Sequence, residues 1–335
     1  MLYASVVGTM LVAIGSRLSA RGQPPGGTHL LIISGAGGEP QYREAFHAMG
    51  ARLAEAAVRR LGLPDSSVIF LAEDSTRAPA RGRSSRGGVE RALDALAGRM
   101  RGNDRLVVVL IGHGSHQGNA SRFNLPGPDV GAAEFARLLD RFGARTVAVV
   151  NTASASGEWV AALSARNRVV ITATKSGFEG NATLFPRYFV EALAGDGADA
   201  DKSGSVSLAE AYDFARREVA RAYEQDGRLL TEHAQLDDDG DGRGTAEPPR
   251  AGAGDGALAR RVVLRTSPAL ASARGGDPRA AALYAERDSL QQAVEALRAR
   301  KDRTAAATYE RELERLLVAL ATTNRAIRER EGRTP

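Results

Sequence analysis

The sequence predicts an α/β protein with a mainly parallel sheet and helices on both faces. Two aliphatic runs, 106–111 and 147–150, are short and rich in valine, as in strands buried on both faces of a parallel sheet. The amphipathic stretch 131–142 between them predicts a helix. A strand, a helix and a strand of these lengths form one βαβ unit, so the two strands should be parallel neighbours.

The chain before this unit contains two more predicted strands and two predicted helices. Residues 29–34 and 68–71 are aliphatic runs that predict buried strands. One helix is expected from about residue 42 to residue 61. A second helix should begin after Ser85, which can cap it, and end near Met100.

The chain after the unit alternates apolar and polar stretches. A short helix is predicted at 159–163, a fifth strand at 169–173, and helices at 185–193 and 208–223. The acidic, Gly-rich stretch 226–256 predicts a long loop. Residues 259–266 are expected to form a last strand, so that 28–266 makes up the main domain.

Residues 278–331 differ in composition and predict a helical extension. Apolar residues recur there at heptad spacing: Leu283, Leu290, Val294 and Leu297, then Tyr309, Leu313, Leu316, Leu320 and Ile327. We expect either an antiparallel hairpin of two helices or one long coiled coil. The apolar stripe must be buried on itself, on the sheet or on a partner, so self-association through residues 278–331 is one expectation.

Residues 1–27 read as a candidate signal segment and a linker. Residues 2–14 are apolar and are followed by Leu18-Ser19-Ala20, which resembles the core and cleavage site of a signal peptide, although a basic start is missing. The alternative is a first strand or helix of the fold. The stretch is too short for a stable membrane span. We therefore expect export to the periplasm or the outside rather than a cytoplasmic protein.

Composition excludes several classes of function. The chain has 335 residues and no cysteine, so disulfides, zinc–thiolate sites and cysteine nucleophiles are excluded. The net charge is +5, almost all cations are arginines, and aromatic residues do not interleave with them, so no nucleic-acid partner is expected. The glycines at 35–38 do not follow the dinucleotide spacing, which predicts no nucleotide cofactor.

The two central strands should end at one shared ligand-binding edge. Carboxyl ends of parallel strands face the same way, and open α/β sheets bind ligands there. His113 and Ser154 follow the two strands directly and would meet as a base and a hydroxyl nucleophile. The alternative for His113 is a loop histidine bonded to backbone. The N–H groups of Ser156 and Gly157 should be free at a helix start and form an anion or oxyanion pocket.

Three short motifs in this order resemble the legumain-like peptidases of the caspase–haemoglobinase group. Tyr42-Arg43 after the first strand looks like that family's Asn-Tyr-Arg, and Gly112-His113-Gly114-Ser115 looks like its catalytic His-Gly-Ser. Residues 153–157, Ala-Ser-Ala-Ser-Gly, look like its Ala-Cys-x-Ser-Gly. The resemblance spans about residues 28–225. It implies a legumain- or caspase-like fold, His113 and Ser154 as the catalytic pair, and substrate-binding roles for Arg43, Gly114, Thr152 and Ser176.

Two departures from the family bear on activity. Ser154 stands at the cysteine position, and Gln41 stands where the family's Asn helps to orient the histidine. A thiol has a pKa of about 8.5 and ionises readily, whereas a serine hydroxyl needs a base held by a third group. No acid for His113 is evident. Thr152 replaces the acidic specificity residue, so the asparagine-directed pocket is not expected.

These observations predict a catalytically impaired pseudopeptidase that binds peptide or protein in the former active-site cleft. One alternative is an active Ser–His hydrolase with Arg43 in substrate binding. Another is a calcium-stiffened scaffold assembled through its C-terminal helices. An engineered Cys→Ser change is a further possible origin of Ser154.

A second motif predicts a Ca²⁺ site. Oxygen-bearing side chains fall at positions 1, 3, 5, 7, 9 and 12 of an EF-hand-like loop: Asp199, Asp201, Ser203, Ser205, Ser207 and Glu210. The alternative is a polar turn in which Ser207 and Glu210 form a capping box. Residues 237–242 begin like a second such loop, but Pro248 occupies the twelfth position, so a solvated acidic loop is expected there.

Overall fold

The computed structural model describes residues 26–118, 120–201, 205–249, 251–266, 278–298, 300–301 and 304–330. The candidate signal segment, residues 1–25, lies outside the described residues. So does Ser203, one of the predicted calcium ligands.

The described residues contain one large, mostly parallel sheet. Its seven strands are, from edge to edge, β11 (Gln235–Asp237), β9 (Arg168–Thr172), β8 (Val147–Asn151), β4 (Arg105–Ile111), β1 (Thr28–Ser34), β2 (Val68–Ala72) and β3 (Gly82–Arg83). All neighbours are parallel except β11, which runs antiparallel to β9. The predicted α/β class is confirmed, and so is the parallel pairing of β4 with β8.

Helices cover both faces of this sheet, as the patterning predicts. One face packs against α1 (Pro40–Arg59), α5 (Phe185–Ala194) and α6 (Leu208–Gln225). The other packs against α2 (Arg86–Arg99), α3 (Ala132–Leu139) and α4 (Trp159–Leu163). Side chains alternate along β4, with Val107 and Val109 in the first core and Val108 and Leu110 in the second. Burial on both faces explains why this strand is aliphatic throughout.

The chain deviates from the prediction between residues 226 and 256. The expected loop contains β11, because Leu236 is fully buried and its backbone pairs both with β9 and with Thr245. This pairing covers the edge of β9, which would otherwise expose free backbone groups. Sequence patterning misses a strand of three residues, since one buried leucine between polar neighbours sets no period.

Two small antiparallel sheets complete the main domain. One joins β5 (Gly114–Gln117), β6 (Ala120–Phe123) and β7 (Val130–Gly131) directly after β4. The other pairs β10 (Ser205–Ser207) with β12 (Val263–Thr266). The strand expected at 259–266 is therefore shorter than predicted, and a 3₁₀ turn at Ala259–Arg261 precedes it.

The C-terminal extension is a helical hairpin, one of the two predicted forms. Helix α7 (Pro278–Arg298) packs along α8 (Ala306–Arg330). Tyr284 near the start of α7 contacts Ile327 near the end of α8, so the helices are antiparallel. None of the helices in the described ranges has the length and hydropathy needed to cross a bilayer.

Candidate functional site

The two predicted strand tips meet at the carboxyl edge of the sheet. Leu110 of β4 pairs with Asn151 of β8, so the segments after both strands leave at the same edge. There the Gly114 N–H donates to Ser154 Oγ, and Ser154 Oγ donates to the Gly114 carbonyl, each at 3.2 Å. The contact requires glycine, because a Cβ at position 114 would lie 2.2 Å from the Ser154 carbonyl oxygen.

Ser154 is enclosed rather than presented to solvent. The residue is 2% exposed. Its one proton is donated to the Gly114 carbonyl, and one of its lone pairs accepts the Gly114 N–H. The hydroxyl therefore joins the tips of β4 and β8 as a structural link.

The His113 ring lies in an aromatic setting. Its centroid is 4.5 Å from that of Tyr42 and 4.9 Å from that of Phe46, both in edge-to-face contact. Burial lowers the pKa of His113, while the charge of Glu39 acts in the opposite direction. Among the described residues, neither ring nitrogen hydrogen-bonds to Ser154, to an acid or to backbone. The ring is thus oriented by packing and favours the neutral form.

The residue after Ser154 has a strained backbone. Ala155 is buried and adopts a φ of 52°, which costs a non-glycine residue about 1–3 kcal/mol. Its N–H donates to the Glu179 carbonyl at 2.8 Å, which holds the turn in place. Backbone strain of this kind clusters at functional sites, so it marks this turn as a site candidate.

The prediction of an anion pocket at Ser156 and Gly157 is wrong. Both N–H groups donate to Thr174 Oγ1, at 2.8 and 3.0 Å. Thr174 follows β9 and is fully buried, so its hydroxyl satisfies the donors that the sequence leaves open. Helix α4 begins two residues later, at Trp159.

The remaining predicted substrate-binding residues differ in accessibility. The Arg43 side chain is partly exposed and pairs with Glu73, with Nε and Oε2 3.4 Å apart. Ser176 is partly buried, and its Oγ accepts the Phe178 N–H at 3.3 Å. Thr152 is fully buried, and its hydroxyl donates to the Leu110 carbonyl at 2.7 Å. Arg43 and Ser176 are the members of this set that a ligand can reach.

The loop after β9 contributes residues that the sequence did not single out. Phe178 is 86% exposed, and its ring lies 5.2 Å from the His116 ring. The neighbouring Glu179 binds His233 Nδ1 at 2.5 Å and also accepts the His233 N–H at 3.1 Å. An aromatic residue in a Gly/Ser loop is the only local signal for Phe178. The Glu179–His233 pair joins residues 54 positions apart, so no local sequence signal marks it.

Three of the predicted calcium ligands lie close together. Carboxylate oxygens of Asp199, Asp201 and Glu210 lie within 4.8 Å of one another. Glu210 and Ser207 also form the capping box that was the alternative interpretation. Burial raises the pKa of Glu210, and the charges of Asp201 and Asp199 add to this. The donor set suits a hard cation, and Ser205 lies in β10 beside it.

A second acidic cluster lies at the end of β11. Carboxylate oxygens of Asp237, Asp239 and Asp255 lie within 4.8 Å of one another. Burial raises the pKa of Asp255, and the neighbouring Asp239 and Asp237 raise it further. Asp255 is far along the chain from Asp237 and Asp239, so sequence spacing does not predict that it joins this cluster.

The sequence matches no family model, and no curated protein is significantly similar to it.

Proposed function

We propose that this chain is a legumain-like peptidase-fold protein that binds a peptide or protein segment at the carboxyl edge of its sheet without cutting it. The observation that carries the proposal is the state of Ser154. The residue is 2% exposed, and its hydroxyl is hydrogen-bonded to both backbone groups of Gly114. A nucleophile needs a free lone pair directed at the substrate, whereas the Ser154 hydroxyl is directed at the backbone of Gly114.

The surroundings of His113 support the same conclusion. A serine nucleophile depends on a base that is hydrogen-bonded to it and oriented by a third group. Within the described residues the His113 ring has no hydrogen bond to the hydroxyl or to a carboxylate. Its two aromatic neighbours hold the ring, and burial disfavours the imidazolium that proton transfer would create.

An exposed aromatic residue beside the edge supports binding. Phe178 belongs to the loop whose Glu179 carbonyl holds the turn after Ser154. Burying a phenylalanine side chain contributes about 1.5–3 kcal/mol, so its exposure favours a partner with an apolar side chain. Arg43 lies near the start of α1, the helix that follows β1, and its partly exposed guanidinium is paired with Glu73.

Hydrolysis of a peptide library tests the absence of cleavage. Wild type, Ser154→Ala and Ser154→Cys are incubated with the library, and products are identified by mass spectrometry. We expect no products from wild type. Products that disappear with Ser154→Ala would contradict the proposal and establish an active Ser–His hydrolase. Products from Ser154→Cys alone would support a cleft that has lost only its nucleophile.

Binding is tested separately with peptides selected on the wild-type protein by display. Phe178→Ala should lower the affinity for the selected peptides about tenfold or more, because the apolar contact is lost. Val263→Ala, a change at an exposed apolar residue of β12, is the matched control and should bind like wild type. Equal affinity for wild type and Phe178→Ala would remove this loop from the binding surface.

A second candidate function is assembly through the C-terminal hairpin. Leu317 and Val318 are exposed on α8 and extend an apolar surface with Leu313 and Ala321. A second copy of the hairpin is the proposed occupant, because its own surface offers the same apolar stripe. Sedimentation should show an oligomer that a chain lacking residues 278–335 does not form. A monomeric full chain would rule this function out.

Calcium binding at the loop 199–210 is proposed as a stiffening element of the same domain. A bound Ca²⁺ ion would remove the repulsion between the carboxylates of Asp199, Asp201 and Glu210 and should thereby stabilise the folded state. Millimolar Ca²⁺ should raise the melting temperature of wild type more than that of Asp201→Asn. An equal shift in both proteins would exclude this loop as a site.

A further inference from the structure

The acidic cluster at the end of β11 has the spacing of a cation site. Its three carboxylates come from two separate segments, with Asp237 and Asp239 on one and Asp255 on the other. Their carboxylate oxygens lie within 4.8 Å of one another, and Ca–O distances are about 2.3–2.6 Å. Oxygens at this spacing can therefore contact one ion together.

A buried carboxylate oxygen in this cluster has no partner. Asp237 is 1% exposed, and its Oδ1 accepts the Gly240 N–H at 3.1 Å. Its Oδ2 has no hydrogen-bond partner among the described residues, and the same holds for Oδ1 of the adjacent Asp238. Such orphaned buried oxygens are rare in native proteins and point to a ligand or ion.

The negative charge of the cluster is also uncompensated. Within the described ranges, no Arg, Lys or His forms an ion pair with Asp237, Asp239 or Asp255. Asp255 is only 8% exposed and uses its Oδ1 to accept the Asp238 N–H. Burying carboxylates without a counter-ion is strongly unfavourable, so the arrangement calls for a bound cation.

We propose that Asp237, Asp239 and Asp255 form a Ca²⁺ site separate from the loop 199–210. Asp237, Asp239 and Gly242 stand at the first, third and sixth positions of an EF-hand-like stretch, whereas Asp241, at the fifth, is not a member of the cluster. The twelfth position is Pro248, and the fold supplies Asp255 in its place. Three carboxylates favour Ca²⁺ over Mg²⁺, which proteins usually bind through one or two.

The ion would fasten the long segment 238–256 to the sheet. Asp237 pairs with Val170 of β9, and the Gly242 N–H donates to Ser164 Oγ, so the cluster lies away from the edge that holds Ser154. Beyond the cluster, Asp238 Oδ2 accepts the Ala259 N–H at 2.6 Å. The site therefore joins the edge strand β11 to the segment that leads into β12.

Calorimetric titration of the full chain with CaCl₂ tests the site. Asp239→Asn removes one charge from an exposed residue but keeps the oxygen that accepts the Asp241 N–H. Asp241→Asn is the matched control, since it removes the same charge two residues away and keeps its bond to the Arg243 N–H. We expect Asp239→Asn to weaken one Ca²⁺ equivalent about tenfold or more and Asp241→Asn to leave it unchanged.

Three outcomes would overturn the proposal. They are wild-type affinity in Asp239→Asn, an equal loss in Asp241→Asn, or loss of this same equivalent in Asp201→Asn of the other loop. Asp239→Ser is the second variant if Asp239→Asn does not fold, and the same loss is expected of it. Far-ultraviolet circular dichroism without Ca²⁺ verifies that each variant is folded.

Discussion

Removing the Thr174 hydroxyl should destabilise the turn that contains Ser154. Thr174 Oγ1 accepts the N–H groups of Ser156 and Gly157, and it donates to the Ser176 carbonyl at 3.2 Å. Thr174→Val keeps the shape of the side chain but deletes these three hydrogen bonds and the 3.1 Å contact with Ser156 Oγ. The two N–H groups left without a partner belong to Ser156 and Gly157, which are both buried.

The expected loss follows from the number of orphaned groups. A buried polar group left without its partner costs about 1–3 kcal/mol. Two N–H donors lose their acceptor here, so we expect Thr174→Val to lower the free energy of unfolding by about 2–6 kcal/mol. The exposed Thr76, whose hydroxyl donates to Asp74, provides the control, and Thr76→Val should cost less than about 1 kcal/mol.

Urea unfolding followed by tryptophan fluorescence measures this difference. The chain has one tryptophan, Trp159, which is fully buried at the start of α4, three residues from Ser156. Its emission therefore reports on the turn and the second core together. A Thr174→Val variant within 0.5 kcal/mol of wild type, or one no less stable than Thr76→Val, would refute the inferred network.

Three further predictions follow from burial and packing. NMR titration should give His113 a pKa below its ordinary 6.5, because burial disfavours the imidazolium. The free energy of unfolding should therefore fall as the pH drops below 6.5, and the His113→Asn variant should show a smaller fall. Burial raises the pKa of Glu232, so stability should fall as pH rises from its ordinary 4.5 through the folded pKa; a Glu232→Gln protein that keeps the same pH slope would contradict this. Gly50→Ala would place a Cβ 2.4 Å from the buried Phe70 ring and should cost about 1–3 kcal/mol in urea unfolding, whereas Gly98→Ala, with open space around it in α2, should be neutral or stabilising.

The main sheet could be predicted because its signals are local. The runs that form β4 and β8 are aliphatic and uninterrupted, and the helix between them has a clear apolar face, so pairing and direction follow from chirality. The short edge strand β11 could not be predicted, because its place depends on the free edge of β9 and on one buried leucine.

The candidate site shows the same division between local and distant signals. The meeting of the segments around His113 and Ser154 follows from strand order, and Ser85 and the capping box at Ser207 follow from helix-start patterns. The acceptor at Thr174 and the clustering of Asp255 involve residues far apart in sequence. Such contacts arise from tertiary packing, and composition and periodicity do not encode them.

Exposure of the wild-type protein to a fluorophosphonate probe, followed by intact mass and peptide mapping, tests most directly whether the Ser154 hydroxyl is withheld from chemistry. A known serine hydrolase treated in parallel confirms that the probe is reactive. Because the hydroxyl is buried and bonded to Gly114, we expect no adduct on Ser154. A stoichiometric adduct on Ser154 that is lost in His113→Ala would contradict the account and identify a working nucleophile–base pair.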